Sequence, residues 1–465
     1  MESFDIIVIG AGPGGYVAAI RAAQLGFNTA VIERSELGGI CLNWGCVPTK
    51  ALLKSAQALY YARHCEEYGF SISGEITPRL DMIVARSRGV SAQMSKGVEY
   101  LLKKNKVTVI KGHAKLAGRD KVLVTDIDNG TESEYLAKHI ILATGARANS
   151  LPNVPIDGKK IISYKHALVP ERLPASMAVI GSGAIGSELA FFYNAMGVDV
   201  TIIEYLDRLV PVEDDEVSAQ LSRSFRKAGI KVMTSAEVTK VDTLGEGCKL
   251  TINTKKGEVE VEAEIVLSAV GVRPNSENIG LEEVGVELER GRVKVDQYCR
   301  TSVDGIYAIG DITSTPALAH VASAEGILCV ETIAGIKREA IDYTSIPGCT
   351  YTTPEIASVG ATERALKERG VEYISGKFPF TASGKAAAAG DKDGFVKLLF
   401  DAHSDKLLGA HLIGANVTEM ISGLVVAKNN GVTAKEIIHS IHPHPTMSEA
   451  IMEAAAAAHN EVIHI

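Results

Sequence analysis

The sequence lacks the long apolar run that a membrane-spanning helix requires. Its longest uncharged runs, such as IIVIGAGPGGYVAAI at 6–20, are interrupted by glycines and fall short of the roughly 18 residues needed to cross a bilayer. The first residues, MESFD, are acidic, whereas a signal peptide starts with basic residues. We therefore expect a protein that does not enter membranes and that resides in the cytoplasm, or in an organelle matrix if the chain is a processed form.

An excess of positive charge is also lacking. The 465 residues include 48 Lys and Arg against 56 Asp and Glu, which gives a formal net charge of −8. Nucleic acids and anionic membrane surfaces are bound by basic patches. The charge balance therefore argues against both kinds of partner.

Cysteine is scarce, and its number is odd. Seven cysteines without a secretory signal indicate a reducing compartment, where a disulfide is more typical of catalysis than of structure. Cys41 and Cys46 lie close together, but no second cysteine pair or histidine pair accompanies them, so we expect no metal site. No role is assigned to the remaining cysteines, which are Cys65, Cys248, Cys299, Cys329 and Cys349.

Glycine, by contrast, is abundant, with 44 residues, and it marks a dinucleotide-binding motif near the N-terminus. Residues 5–34 contain an apolar strand, the spacing Gly10-x-Gly12-x-x-Gly15, an alanine-rich helix and a second strand that ends in Glu33. In such a βαβ unit the glycines let a pyrophosphate approach the helix N-terminus, and the acid accepts a hydrogen bond from a ribose hydroxyl. The motif therefore predicts a bound dinucleotide.

The same motif occurs a second time. In residues 177–208 the glycines are Gly181, Gly183 and Gly186, the acid is Glu204, and every element is displaced by the same 171 residues. One such glycine spacing is a weak signal, because a glycine-rich turn without a ligand also produces it. Two copies in identical register predict two bound dinucleotides.

The stretch GGICLNWGCVPTK at 38–50 places Cys41 and Cys46 directly after the first motif. The residues that follow have a helical pattern, so Cys46 is expected near a helix N-terminus, where the helix dipole and Lys50 favour the thiolate. A glycine-rich bend would bring both sulfurs within bonding distance. A redox pair is therefore favoured over a metal clip or a structural staple.

A dithiol releases two electrons and NAD accepts a hydride, so a group that converts one into the other is required. A flavin performs both kinds of chemistry. Because the cysteines neighbour the first dinucleotide motif, we expect FAD at that motif and NAD at the second.

The tail HSIHPHPTMSEA at 439–450 carries further candidate chemistry. Histidine moves protons near neutral pH, and Glu449, five residues beyond His444, is placed to orient its imidazole. Histidines near a terminus are often only surface polar groups. A thiol that must lose its proton elsewhere in the chain favours the acid–base role.

These motifs resemble those of the pyridine nucleotide–disulfide oxidoreductases over essentially all 465 residues. The resemblance rests on GGICLNWGCVPTK, both glycine motifs, ATG at 143–145, TSVDGIYAIGD at 301–311, LAHVASAEG, TPEIASVG and the HPT-x-SE tail. There are two departures: Trp44 stands where a small aliphatic residue is usual, and Pro443 stands where a small residue usually separates two histidines. Neither departure removes a reacting group.

The resemblance implies an α/β fold with two Rossmann-like dinucleotide-binding domains, a central segment and a C-terminal α+β dimerisation domain. The implied boundaries are 1–146 for the FAD domain, 147–271 for the NAD domain, 272–344 for a central domain that completes the FAD site, and 345–465 for the interface domain.

The resemblance also implies roles for the reacting groups. Cys41 is then the outer thiol that exchanges with the substrate disulfide, and Cys46 is the inner thiolate beside the flavin. His444 is the acid–base residue, with Glu449 as its partner. In this family the histidine comes from the other subunit, so a homodimer is implied.

Binding residues for both cofactors follow from the same resemblance. Lys50 and Glu188 resemble the family's ion pair near the flavin, and Asp311 resembles the residue that holds the ribityl chain. The implied FAD-binding residues are Gly10, Gly12, Gly14, Gly15, Glu33, Lys50, Gly112, Thr144, Gly145, Asp311, Ala319 and His320. The implied NAD-binding residues are Gly181, Gly183, Gly186, Glu188, Glu204 and Gly271.

Within the resembled family, members that act on different substrates differ in a few residues, and these differences indicate the substrate here. A carboxylate at Glu204 repels the 2′-phosphate of NADPH, which disfavours reductases of glutathione or trypanothione. No cysteine follows Cys349, which disfavours mercuric reductases. The favoured reaction converts dihydrolipoamide and NAD⁺ to lipoamide and NADH, with electrons passing through the cysteine pair and FAD.

The implied partners are a second copy of the chain and the lipoyl domains of 2-oxoacid dehydrogenase or glycine cleavage complexes. Which of these complexes the protein serves stays open. Two alternatives also stay open: another flavin disulfide reductase, similar to glutathione reductase, or a FAD-containing redox sensor without turnover.

Overall fold

A computed structural model describes residues 2–465. The chain divides into two compact units, and each contains segments that are distant in sequence. The first unit comprises the chain up to Ala51, Asp81–Asn149 and Val272–Tyr343. The second unit comprises Leu52–Leu80, Ser150–Gly271 and Thr344–Ile465.

The helices, in chain order, are α1 Pro13–Gln24, α2 Gly39–Trp44, α3 Cys46–Arg63, α4 Leu80–Lys104, α5 Tyr164–Ala167, α6 Ala184–Ala195, α7 Asp215–Lys227, α8 Leu281–Val284, α9 Ala319–Ile333, α10 Glu363–Glu368, α11 Gly384–Ala389, α12 Val417–Asn429, α13 Ala434–His439 and α14 Glu449–Ala458. Short 3₁₀ turns occur at Cys65–Tyr68, Gly310–Ile312, Tyr343–Ser345 and Phe380–Ala382.

The strands, in chain order, are β1 Glu2–Ile9, β2 Thr29–Glu33, β3 Thr108–Lys111, β4 His113–Leu116, β5 Lys121–Thr125, β6 Glu132–Leu142, β7 Ala146–Ala148, β8 Ile161–Ile162, β9 Ser176–Ile180, β10 Asp199–Ile203, β11 Lys231–Met233, β12 Ala236–Leu244, β13 Gly247–Thr254, β14 Gly257–Ala263, β15 Ile265–Ser268, β16 Val272–Pro274, β17 Leu288–Glu289, β18 Arg292–Val293, β19 Ile306–Ala308, β20 Gly348–Thr350, β21 Glu355–Gly360, β22 Tyr373–Pro379, β23 Phe395–Asp401 and β24 Leu407–Gly414.

The main sheet of the first unit has the strand order β3-β2-β1-β6-β5-β4, and β19 also pairs with β6. The strands β3, β2, β1, β6 and β19 run parallel, whereas β5 pairs antiparallel with both of its neighbours, β6 and β4. The central strand β1 ends in the apolar run Ile6–Ile9, which is almost completely buried. Such a run is typical of a parallel strand that is covered on both faces.

A second parallel sheet lies in the second unit and has the order β11-β10-β9-β15-β8. Its strand β9 and helix α6 repeat the β1–α1 arrangement of the first unit. The sequence prediction of two Rossmann-like units is therefore confirmed.

The C-terminal segment forms an antiparallel sheet with the order β20-β21-β24-β23-β22. Helix α14 packs so closely on β22 that a Cβ atom on Gly376 would lie 2.0 Å from the carbonyl oxygen of Ala454. Helix α12 and helix α14 both contribute buried residues to the core of this sheet. The predicted α+β character of this segment is confirmed, whereas the proposed division into four domains stays a prediction.

A buried group of charges anchors α7 in the second unit. The Asp214 carboxylate accepts from the Glu216 N–H at 3.1 Å, and it lies 2.9 Å from the Lys397 ammonium group. Lys397 also pairs with Glu363 at 2.9 Å, and only 2% of its side chain is exposed. Burial raises the pKa of the adjacent Glu213 to about 7, and the charge of Asp214 acts in the same direction.

Candidate active site

The two glycine motifs have the geometry that a dinucleotide requires. Gly10 has a φ of +102°, and a Cβ atom there would lie 2.3 Å from the Ala143 carbonyl oxygen. The equivalent distance at Gly181 is 2.5 Å, to the carbonyl oxygen of Ala269. These turns therefore exclude any other residue type.

The middle glycine of each motif has a different purpose. A Cβ atom on Gly12 or Gly183 would meet no atom within 4 Å among the described residues. Both glycines are N-cap residues, of α1 and of α6, so neither supplies a side-chain acceptor to the first-turn N–H groups. Exposed backbone at an uncapped helix N-terminus fits a pyrophosphate.

The acid of each motif is held in the same way. The Ala11 and Ser35 N–H groups donate to Glu33 at 2.7 and 2.9 Å. In the second motif, Glu204 accepts from the N–H groups of the residues displaced by 171, Ser182 at 2.9 Å and Leu206 at 2.8 Å. The internal repeat thus extends to individual hydrogen bonds, and both carboxylates are held beside a glycine turn.

The cysteine segment is attached to the first glycine turn. The Gly38 N–H donates to the Ala11 carbonyl at 2.8 Å, and a Cβ atom on Gly39 would lie 2.7 Å from the Cα atom of Gly12. The glycines therefore let α2 begin directly against the dinucleotide turn.

The bend expected between the cysteines is accompanied by a short helix that the sequence did not predict. Residues 39–44 form the short helix α2, which contains Cys41, and a break at Gly45 separates it from α3, which begins at Cys46. The buried Asn43 stabilises α2, because its amide donates to the carbonyls of Leu37 and Gly39 at 3.0 Å. Local hydrogen bonds of Asn43 therefore stabilise a short helix where the glycines suggested only a bend.

The two thiols interact with each other. The Cys41 thiol is half-buried and the Cys46 thiol is exposed. A hydrogen bond to Cys46, together with burial, holds the pKa of Cys41 well above its usual range. Hydrogen bonding and burial therefore both favour the protonated form of Cys41.

The remaining FAD candidates in the first unit lie in α3, at the start of α9 and in the segment that follows β6. Lys50 lies in the second turn of α3, and Ala319 and His320 begin α9. The Thr144 hydroxyl donates to the Asn275 carbonyl at 2.8 Å. Gly145, next to Thr144, has a φ of +67°.

Gly112 lies in the same unit, at a position where a larger residue would clash with its neighbours. A Cβ atom on Gly112 would lie 2.4 Å from Val124. The Gly112 N–H donates to the Glu33 carbonyl at 3.0 Å, which ties this glycine to the end of β2.

Asp311 lies in the 3₁₀ turn after β19, and burial raises its pKa. This turn is held by a residue that sequence reasoning did not single out. The Glu325 carboxylate, 1% exposed, accepts from the Gly310 N–H at 2.6 Å and the Tyr343 hydroxyl at 2.7 Å. The motif LAHVASAEG contained Glu325, but its partners are distant in sequence.

The remaining NAD candidates lie in the second unit. Glu188 is buried on α6 and accepts from the Tyr351 N–H at 2.9 Å. Gly271, which follows β15, has a φ of +90°. A Cβ atom on Gly186 would lie 2.1 Å from the Gly181 carbonyl, so this glycine closes the turn against α6.

The tail brings its two predicted residues together. His444 Nδ1 lies 2.8 Å from Glu449 Oε1, and the Thr446 N–H donates to Glu449 Oε2 at 2.8 Å. Although burial opposes them, the Thr446 and His444 hydrogen bonds hold the pKa of Glu449 below its usual range. The arrangement orients the imidazole and leaves its Nε2 atom to face outward from the pair.

Within residues 2–465, no group of three or more His, Cys, Asp or Glu side chains is arranged to hold a metal ion. None of the helices formed there combines the length and apolarity that a bilayer crossing requires. Burial raises the pKa of the Cys299 and Cys329 thiols, which makes these two cysteines poor nucleophiles.

Comparison with known proteins agrees with this geometry. Residues 4–326 match the family described as pyridine nucleotide-disulphide oxidoreductase, and residues 346–455 match its dimerisation domain. The chain is 48% identical to a dihydrolipoyl dehydrogenase of Rhizobium etli, over 100% of this chain and 99% of that protein. It is 42% identical to a dihydrolipoyl dehydrogenase of Bacillus subtilis, over 99% of both chains. The crystal structure of LpdA from Mycobacterium tuberculosis superposes with a TM-score of 0.90 at 29% identity, covering 98% of this chain and 99% of that one.

The chain therefore belongs to the pyridine nucleotide–disulphide oxidoreductases. It is a flavoprotein oxidoreductase that uses FAD and NAD, as the two glycine motifs and the neighbouring cysteine pair predicted. It also carries the family's dimerisation domain, which supports the predicted homodimer.

Proposed function

We propose that this chain acts as a dihydrolipoyl dehydrogenase, which oxidises dihydrolipoamide with NAD⁺ to lipoamide and NADH. Full-length relatives with that name support the substrate. The observation that carries the proposal is the hydrogen-bonded pair Cys41 and Cys46, attached to the first dinucleotide turn through Gly38 and Gly39.

The first glycine turn and Glu33 would hold FAD, together with Lys50, the Thr144–Gly145 turn, Asp311 and the start of α9. FAD supplies the conversion between dithiol electrons and a hydride. The residues fit it, because the uncapped N-terminus of α1 offers N–H groups to a pyrophosphate and Gly12 leaves its approach open.

The protein's cysteines perform the exchange with the substrate. A thiolate of dihydrolipoamide attacks the outer sulfur, Cys41, of the Cys41–Cys46 disulfide, and the S–S bond breaks with its electron pair on Cys46. The second substrate thiol, after losing its proton, attacks the substrate sulfur of the mixed disulfide, and that S–S bond breaks with its electron pair on Cys41. Lipoamide leaves and both cysteines are reduced. The hydrogen bond from Cys41 to Cys46 supports Cys46 as the inner thiolate.

His444 is proposed as the base for these steps. A free thiol has a pKa of about 8.5, so little of it is ionised at pH 7. The imidazole accepts the thiol proton, and Glu449, 2.8 Å from His444, stabilises the imidazolium. In the dimer this histidine would act on the cysteine pair of the partner subunit.

Glu204 is proposed to select NAD. Its carboxylate lies at the second glycine turn, 7% exposed and held by Ser182 and Leu206. A ribose 2′-hydroxyl can donate to such a group, whereas a 2′-phosphate is repelled.

The assembly and location follow from the same proposal. The partners would be a second copy of the chain and the lipoyl domains of a 2-oxoacid dehydrogenase or glycine cleavage complex, in the cytoplasm. The four-domain division at residues 146, 271 and 344 is proposed as the functional division of the chain.

A substrate panel tests this function. The purified holoenzyme should bind one FAD per chain and reduce NAD⁺ with dihydrolipoamide far faster than with reduced glutathione. NADP⁺ should replace NAD⁺ poorly. Equal or faster turnover with glutathione would contradict the substrate, and absence of turnover with every thiol would favour a redox sensor.

A further inference from the structure

Helix α2, which carries Cys41, is held at its N-terminal end by the glycine turn. It has six residues and is bounded by glycines, Gly38 with a φ of +90° at one end and Gly45 at the other. A helix of this length is not stable on its own. The position of Cys41 relative to Cys46 therefore depends on contacts made by the rest of the unit.

Helix α4 supplies the contacts at the C-terminal end of α2. The Arg88 guanidinium lies 4.2 Å from the centre of the Trp44 ring and donates to the Asn43 carbonyl, one of the last carbonyls of α2. The Trp44 indole N–H donates to Glu36 Oε1 at 3.2 Å. These contacts hold Trp44, which lies between the two cysteines in the sequence.

Helix α4 also contacts α3, the helix that begins at Cys46. The Ser87 hydroxyl donates to the Pro48 carbonyl at 3.0 Å, and Arg86 donates to the Ala51 carbonyl at 2.8 Å. Arg86 and Arg88 therefore lie on the same helix and both donate to backbone carbonyls. Arg88 contacts α2, which carries Cys41, and Arg86 contacts α3, which carries Cys46.

We propose that Glu36, Trp44 and Arg88, here named the Arg88 clamp, are positioning residues that hold Cys41 at bonding distance from Cys46. The inference rests on the proposed function only in taking these two cysteines as the redox pair. When the clamp is intact, α2 is already ordered in the dithiol state, so little freedom is lost when the disulfide forms. When the clamp is removed, disulfide formation must order the C-terminal end of α2, and the disulfide becomes easier to reduce.

The test measures the dithiol–disulfide equilibrium without using lipoamide. Holoenzyme is equilibrated anaerobically in buffers of reduced and oxidised dithiothreitol. The free thiols are then alkylated, and labelling of Cys41 and Cys46 is read by mass spectrometry. In each equilibrium the protein disulfide gains two electrons and two protons from dithiothreitol, which forms its own cyclic disulfide.

Arg88→Ala and Trp44→Val should shift this equilibrium toward the dithiol by about tenfold, equivalent to about 30 mV for a two-electron couple. Arg88→Lys keeps the charge but not the planar stack, and it should not restore the wild-type equilibrium. Arg86→Ala is the matched control, because α3 has 18 residues and stays helical at Cys46 without this one contact. It should lower the melting temperature of the protein but leave the equilibrium unchanged.

Fluorescence gives a second measurement. Trp44 is the only tryptophan in the sequence, so its emission reports the clamp directly. Emission should shift to longer wavelength in Arg88→Ala and stay constant in Arg86→Ala.

The outcomes separate the clamp from the proposed function. Equal redox shifts in Arg86→Ala and Arg88→Ala, or no shift in either, would overturn the clamp alone. A wild-type protein that forms no Cys41–Cys46 disulfide across the dithiothreitol range would instead overturn the redox pair itself.

Discussion

Ser182 donates two hydrogen bonds to Glu204, one from its backbone N–H at 2.9 Å and one from its hydroxyl at 2.7 Å. This carboxylate is thereby fixed at the second glycine turn. A negative charge in a fixed position discriminates more strongly than a mobile one, because it cannot turn away from an incoming phosphate.

Glu204→Gln should narrow the preference for NAD⁺ over NADP⁺ by about 10- to 100-fold, since it keeps the shape of the side chain but removes its charge. The measurement is kcat/KM for both nucleotides. Glu33→Gln, at the matched position of the first motif, should weaken retention of FAD and leave the nucleotide ratio unchanged. A wild-type preference for NADP⁺ would show that the assignment is wrong.

Replacement of either cysteine should abolish oxidation of dihydrolipoamide, because thiol–disulfide exchange needs both sulfurs. Cys41→Ser should keep the long-wavelength absorbance of a thiolate beside the flavin, and Cys46→Ser should lose it. Absorbance spectra of the partly reduced variants give the result. Reduction of an artificial acceptor by NADH serves as the control and should persist in both variants. The opposite spectral pattern would exchange the inner and outer roles.

His444→Ala should lower lipoamide-dependent turnover by about 10²- to 10⁴-fold, the usual contribution of a general base. Reduction of the enzyme by NADH should remain nearly unchanged in stopped-flow measurements. His442→Ala is the matched control, because the His442 ring hydrogen-bonds to the Ser440 carbonyl at 2.9 Å, whereas the His444 ring hydrogen-bonds to Glu449. It should retain activity.

Subunit mixing tests whether His444 acts across the dimer. Inactive Cys41→Ser chains and inactive His444→Ala chains are combined under conditions of subunit exchange. If the site is shared, each mixed dimer regains one site that has both wild-type groups. Mixed dimers that are demonstrably formed but inactive would place both groups within one chain.

Glu213 should make the protein less stable as the pH rises from 4.5 to about 7. Its pKa in the folded protein is about 7 against an ordinary value of 4.5, so between these values the folded state binds a proton that the unfolded state has released. By linkage, the free energy of unfolding falls across this interval, by on the order of 3 kcal/mol at about 1.4 kcal/mol per unit.

Glu213→Gln should remove that loss, so the variant should exceed the wild type in stability at pH 8. Urea unfolding at pH 5 and pH 8 measures the difference. Glu237→Gln, at an exposed position of the same unit, should leave the free energy of unfolding unchanged at both pH values. If the free energy of unfolding changed equally with pH in the wild type and in Glu213→Gln, the prediction would be wrong.

The sequence predicted local geometry well where spacing alone determines it. The 171-residue displacement placed Glu33 and Glu204 in corresponding positions, and their N–H donors correspond as well. His444 and Glu449 were paired from a five-residue spacing, and the structure brings them to 2.8 Å. In each case the interacting groups are joined by one turn or one βαβ unit.

Features that depend on distant segments were missed. Helix α2 is too short to show periodicity. Its Asn43, which bonds to Leu37 and Gly39, is held from a distant segment by Ser95 of α4, which donates to it at 2.8 Å. Glu325 joins residues on both sides of α9. No local pattern encodes such contacts, because they exist only after the segments have packed.

The pairing of β19 with β6 has a consequence for synthesis of the chain. Ile306–Ala308 pair with Ile140–Leu142, so the partner of this apolar edge is translated 166 residues later. At 5–20 residues per second the edge waits roughly 10 to 30 s for its partner. An apolar strand edge left open for that time invites pairing with other nascent chains. Ribosome-bound chains that end before Ile306 should therefore depend on chaperones more strongly than chains that extend past Ala308.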